Sequence, residues 1–255
     1  GTAENPIVIT AETQGKVYIE GRSTLRLGGE FVIFSGFVFR NGYAKDVIQF
    51  RTKTGELANN CRLTNCVIDG YNNPDDKEKE RWVLLYGKNN RIDHCTFINK
   101  QNEGVLMAVV LEEKKNDENS RLANSENYHQ IDHNFFGERP KLKYVDNGGE
   151  IIRIGDSNTS LLASKTIVEN NVFEHCDGEV EIISVKSCEN ILRNNYFYES
   201  AGALVLRHGN KNLVEGNVFI GNMKKNSAGI RVINADHIVR NNYLETLNGK
   251  GSFSA

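Results

Sequence analysis

The chain has 255 residues, 39% of them apolar, and its 31 basic and 33 acidic side chains leave a formal net charge of −2 at pH 7. That much apolar material excludes a disordered chain, and the even charge balance excludes a polycationic nucleic-acid surface, although a basic cleft for an anionic ligand remains compatible with it. No apolar run reaches the ~20 residues needed to span a bilayer, so no membrane span is expected.

The chain opens with Gly1-Thr-Ala-Glu-Asn-Pro6, without a signal-peptide pattern, and closes with Gly251-Ser-Phe-Ser-Ala255. Both ends read as cuts through a longer protein, so residues 1–255 are expected to form one domain lacking terminal coils. Gly is frequent at 23 and Pro rare at 3, and short Val-, Ile- and Phe-rich runs end in polar turns. This is the punctuation of many short strands.

From Phe34 onward a six-residue pattern recurs: apolar, any, Asn/His/Gly, Asn/Cys, any, apolar. A loose copy, Phe34–Phe39, is followed by Leu63–Ile68, Ile92–Phe97, Ile131–Phe136, Val168–Phe173, Leu192–Phe197, Val214–Phe219 and Val239–Leu244. The last positions are separated by 29, 29, 39, 37, 24, 22 and 25 residues. A coil of ~22–25 residues with loops filling the longer gaps predicts an all-β, right-handed parallel β-helix, a solenoid. Stacked coils bury each terminal Phe or Ile on its copies and align the Asn and Cys positions as an internal ladder, which makes those asparagines architectural. His94 and His133 read as ladder residues of the same kind, whereas His129, His175 and His237 have no partner evident from sequence. Five cysteines (Cys61, Cys66, Cys95, Cys176, Cys188) without CxxC spacing read as free, buried thiols. The charged runs 73–81 and 112–126 read as solvated loops, one or both able to wall a groove.

Charge interrupts this rhythm in the later coils. Glu179 and Glu181, two apart in a predicted strand, face the same side, either as a solvated acidic pair or as hard oxygen ligands for a cation such as Ca²⁺. Lys186, Arg207 and Arg231 follow at steps of 21 and 24 residues, about one coil each, and Asn147 and Arg153 precede them. Together they predict one strip along the solenoid, a metal site beside a cationic track, suited to an anionic polymer.

Four ordered motifs carry a family resemblance: Asn147-Gly-Gly-Glu-Ile-Ile-Arg-Ile-Gly155, Asp177-Gly-Glu-Val-Glu-Ile-Ile-Ser-Val-Lys-Ser187, Leu206-Arg-His-Gly209 and Ser227-Ala-Gly-Ile-Arg-Val-Ile-Asn234. In order and spacing the chain resembles the polysaccharide lyase family 6 enzymes, the family of alginate lyases and chondroitinase B. The resemblance implies a secreted or periplasmic lyase acting on an anionic polysaccharide, with Ca²⁺ bound by Asn147, Glu179 and Glu181. It implies Lys186 as general base and Arg207 as the second catalytic residue, with His208, Arg231 and Arg153 contacting substrate. The implied chemistry is β-elimination: the C5 proton next to the uronate carboxylate is removed and the 4-linked oxygen leaves, with the cation neutralising the carboxylate. The wording of the motifs is closer to alginate-active members than to dermatan or chondroitin sulfate lyases. A non-catalytic glycan-binding β-helix gives no reason for Lys186 and Arg207 to stand at coil spacing beside two glutamates. A pectate lyase is disfavoured by the lack of its Asp-rich ligands. Oligomeric state is not legible.

Overall fold

A computed structural model describes residues 1–144 and 146–250; the closing Gly251–Ala255 run lies outside them. Each coil supplies three short strands, and equivalent strands pair in parallel with the next coil. The first sheet has nine strands, from Ile7–Thr10 to Ile238–Arg240, and the second has nine, from Val17–Gly21 to Tyr243–Glu245. The third has eight, from Leu25–Arg26 to Ser227–Val232. This is the parallel β-helix expected from the repeat.

The hexapeptide explains itself position by position. Its first and last residues point inward: Leu63, Ile92, Ile131, Val168 and Val214 are fully buried, and Phe97, Phe136, Phe173, Phe197 and Phe219 form a continuous stack. Centroid spacings along that stack are 5.2, 4.9, 4.7 and 4.4 Å, so each ring contacts the ring of the next coil. The third residue turns the corner from the first sheet to the second in the left-handed region, with φ between 52° and 66° from Asn65 to Asn241. Asn and Gly tolerate that conformation, which is why they recur there.

The fourth residue is the ladder. Asn134 donates its backbone N–H to Asn171 Oδ1 at 3.0 Å, Asn171 to Asn195 at 3.1 Å, Asn195 to Asn217 at 3.0 Å and Asn217 to Asn242 at 3.0 Å. The Asn171 amide also donates to the Ile131 and Glu169 carbonyls, so otherwise stranded backbone groups are satisfied inside the corner. His94 and His133 are not part of this ladder. They hold the third position, at φ 52° and 54°, and their rings stack on one another outside the coil. A one-residue step at a corner moves a side chain from the interior to the surface.

A second ladder runs along the corner before the first sheet. The Asn90 N–H donates to His129 Nδ1 at 3.1 Å, Asn190 to Asn212 Oδ1 at 2.8 Å and Asn212 to His237 Nδ1 at 3.1 Å. His129 and His237 therefore serve as acceptors equivalent to asparagine. The five cysteines are free and buried, and the Cys61 and Cys95 N–H groups donate into the two ladders. Residues 112–126 are not wholly loop: Asp117 caps a seven-residue helix, Glu118–Asn124, by accepting from the Ser120 N–H at 3.1 Å, and Arg121 pairs with Glu112 at 2.8 Å.

Candidate active site

The third sheet carries the charged strip. Its inward column Ile152, Ile183, Leu204 and Ile230 packs the core, while Arg153, Ser184, Val205 and Arg231 align in register on the outer face. The strand Glu181–Lys186 is buried almost throughout rather than alternating. On its outer side Ser184 is covered by a bond to Glu181, and Val205 of the next coil packs with Ala203 and Ala228.

At the corner entering this sheet three coils come into backbone contact. A Cβ on Gly149 would lie 2.6 Å from the Gly178 carbonyl carbon, and one on Gly202 would lie 2.7 Å from the Glu179 carbonyl oxygen. The resulting approach gathers Glu150, Glu179 and Glu181, whose ligand atoms all lie within 4.8 Å of one another. Glu179 thus stands in the turn, not on the strand as the alternation predicts, yet it converges with Glu181 all the same. Glu150 was absent from the ligands expected from sequence; its only signal is an acidic residue directly after two glycines and before a buried Ile-Ile pair.

The three carboxylates are buried and repel. Burial, and then the charges of Glu150 and Glu181, push the Glu179 carboxyl up to about 8, although it accepts the Gly148 N–H at 3.0 Å. Among the described residues, Glu150 Oε2 is buried without a hydrogen-bond partner. Behind the cluster lies buried Arg139, which burial pulls down to about 10. Its guanidinium donates to the Gly104 carbonyl at 3.3 Å, the Gly104 N–H to the Gly148 carbonyl at 2.8 Å, and so supports the turn that holds Glu179.

Two cations flank the carboxylates. Lys186 Nζ is 3.8 Å from Glu150 Oε1, and Arg207 Nε is 3.6 Å from Glu181 Oε1. Lys186 pairs in register with His208, and Arg207 is the extra residue of a bulge between Val185 and Lys186. That bulge sets Arg207 beside Lys186 on the groove side. His208 Nε2 is 3.3 Å from Ser157 Oγ, and burial together with Arg207 and Lys186 holds its imidazole below the usual histidine range.

Asn147, Glu179, Glu181, Lys186, Arg207, His208 and Arg231 all line one open groove. A second hollow, lined by Lys45, Lys79, Arg81, Glu150 and Arg153, shares Asn147 and Lys186 with it, so the cationic floor continues toward the earlier coils. The 73–81 run therefore reaches the groove wall through Lys79 and Arg81, and no residue of 112–126 lines either hollow. Three buried carboxylates, one with an orphaned oxygen, and an amide on the rim are a donor set that fits a hard divalent cation such as Ca²⁺.

A family model described as chondroitinase B matches residues 1–255. Among solved structures, the PL6 family alginate lyase AlyGC is 50% identical with a TM-score of 0.93, over 99% of this chain and 34% of that one. A mannuronic acid specific polysaccharide family 6 lyase from human gut microbiota is 47% identical with a TM-score of 0.91, over 98% of this chain and 55% of that one. A PL6 family polysaccharide lyase from Pseudopedobacter saltans is 29% identical with a TM-score of 0.81, over 96% of this chain and 54% of that one. The chain thus spans about a third to a half of the length of these relatives. No curated protein matches it.

Proposed function

The chain belongs to the chondroitinase B family, and from that premise we propose that it is a polysaccharide lyase cleaving alginate by Ca²⁺-assisted β-elimination, with 4,5-unsaturated products. The observation that carries the reading is the placement of Lys186 and Arg207 on adjacent strands beside three clustered carboxylates, of which Glu179 and Glu181 line the same groove and Glu150 the adjoining hollow. A binding module has no need of that arrangement.

The proposed roles follow from position. Glu150, Glu179 and Glu181, with Asn147 on the rim, hold the cation. When bound, Ca²⁺ supplies a positive charge against the uronate carboxylate and so stabilises the negative charge that develops there when C5 is deprotonated. The Lys186 amine takes the C5 proton; the C5–H electron pair becomes the C4–C5 double bond, and the C4–O4 bond breaks. Arg207 stabilises charge on the departing oxygen, which collects a proton through water. His208, Arg231 and Arg153 lie along the same face and hold the neighbouring sugars through their charged and hydrogen-bonding groups.

Alginate is favoured as substrate because relatives at 50% and 47% identity bear alginate-lyase and mannuronate-specific names. The second reading is a dermatan or chondroitin sulfate lyase, on the description of the matching family model. Secretion or periplasmic export fits a polymer substrate, and among the described residues no helix is long and apolar enough to cross a membrane. The test is incubation with alginate, dermatan sulfate and polygalacturonate, with and without a chelator, following absorbance of the unsaturated uronate. Product from alginate that chelation suppresses, and that Lys186→Ala abolishes while calorimetric Ca²⁺ binding persists, is the expected result. Substantial product from Lys186→Ala, or none from any polymer with the wild-type chain, would overturn the proposal.

A further inference from the structure

At the corner between the first and second sheets, away from the groove, the two histidines displaced from the ladder stand in consecutive coils. The rings of His94 and His133 are parallel to within 2° with centroids 5.1 Å apart, and their side chains are 52% and 48% exposed. Each Nδ1 is 2.7 Å from the carboxylate of the preceding residue, Asp93 or Asp132, both fully buried. Those carboxylates are held ionised: despite burial, Arg62 and Arg91 keep Asp93 and Asp132 respectively below the usual range. An ionised carboxylate only accepts, so in each neutral imidazole the proton sits on Nδ1 and the lone pair on Nε2 faces outward.

A carboxylate that fixes the histidine tautomer and leaves the other nitrogen free is the outer-shell arrangement of metal-binding histidines. Here it occurs twice, one coil apart, on one surface. A single ion ~2.1 Å from each Nε2 requires the two half-exposed rings to leave their parallel stack and tilt toward each other. The charges of Asp93 and Asp132 are each matched by an arginine, Arg62 through Nε at 2.6 Å and Arg91 through Nη2 at 2.6 Å. The surface therefore offers nitrogen donors without excess negative charge, which selects borderline metals over Ca²⁺ or Mg²⁺. The carboxylate cluster of the groove has the opposite preference.

We infer that His94 and His133 form a surface site for one borderline divalent cation of the Zn²⁺ or Cu²⁺ type, which staples two consecutive coils together. Water completes the coordination. Because the unfolded chain does not hold the two imidazoles one coil apart, the ion binds the folded state preferentially and stabilises it. The corner position is Asn65 one coil earlier and Asn170 one coil later, both with positive φ, so asparagine at 94 or 133 keeps the backbone conformation.

The test is calorimetric titration of the full, tag-free chain with ZnCl₂ in excess Ca²⁺, which saturates the carboxylate cluster. Wild type, His94→Asn and His133→Asn are compared, with thermal melts of each as a check on folding. One Zn²⁺ per chain in wild type, at least tenfold weaker binding in each single variant, and a Zn²⁺-dependent rise in Tm confined to wild type is the expected pattern. Cu²⁺ in place of Zn²⁺ should give an electron-paramagnetic-resonance spectrum with two equivalent nitrogen couplings. Equal Zn²⁺ affinity in wild type and both folded variants, or halved stoichiometry without loss of affinity, would overturn the site.

Discussion

His129 makes the stability of this solenoid depend on pH in a calculable way. The ring is fully buried in the second ladder, where Nδ1 accepts the Asn90 N–H at 3.1 Å and Nε2 has no partner among the described residues. Burial pulls its pKa down to about 3. The folded-state value is depressed, so the contribution of this group is intact above the unfolded value of ~6.5 and is lost as pH falls toward the folded one. In that window the unfolded chain binds a proton that the native chain refuses. Each pH unit costs about 1.4 kcal/mol, so at pH 4.5 the penalty is roughly 2–3 kcal/mol relative to pH 7.5. His129→Asn removes the titrating group and keeps an acceptor of the kind used at Asn190 and Asn212. Urea unfolding followed by Trp82 fluorescence suits the measurement, since this single tryptophan is buried one coil from His129. The difference in unfolding free energy between variant and wild type should move by roughly 2–3 kcal/mol in the variant's favour between pH 7.5 and 4.5. A difference that stays constant over that range would refute the burial of a neutral His129.

Two further outcomes follow from the ladder and the carboxylates. Asn171→Leu strands the Asn134 N–H and the Ile131 and Glu169 carbonyls, and at about 1–3 kcal/mol for a buried unpaired group it should cost more than ~3 kcal/mol in denaturant unfolding. Asn171→Cys, the residue already used at Cys95 in the same ladder, should cost visibly less. Glu150→Gln removes one of three clustered carboxylates and should weaken calorimetric Ca²⁺ binding at least tenfold, with the fold unchanged by circular dichroism; unchanged affinity would leave the cation to Asn147, Glu179 and Glu181.

The fold was legible because three of the six repeat positions obey separate physical demands that each leave a letter behind. Phe136, Phe173 and Phe197 recur because they stack, Asn170 and Asn194 because the corner needs positive φ, and Asn171 and Asn195 because each amide serves two coils. The second ladder left a weaker letter, since Asn90, Asn190 and Asn212 alternate there with His129 and His237. Its demand is only for an acceptor near the N–H of the preceding coil, and Asn90 Oδ1 and His129 Nδ1 meet it equally well. His129 and His237 therefore looked unpartnered, while His94 and His133, set one residue before the ladder, looked internal.

The candidate site was legible in its residue types and less so in its geometry, because irregular backbone does the assembling. Counting 21 residues from Lys186 to Arg207 suggests equivalent places in successive coils, yet Lys186 is in register with His208. Arg207, on the next coil's strand, reaches the groove as the additional residue of a bulge, out of register with Lys186 rather than paired with it. Likewise Glu150 joins Glu179 and Glu181 only because Gly149, Gly178 and Gly202 let three backbones touch at one corner. A side chain on Gly178 would meet the Gly149 carbonyl oxygen at 2.3 Å and spread the coils, and with them the carboxylates. The glycines between charged residues are thus as much a part of the site as the charges, though in a chain with 23 of them nothing local marks these three.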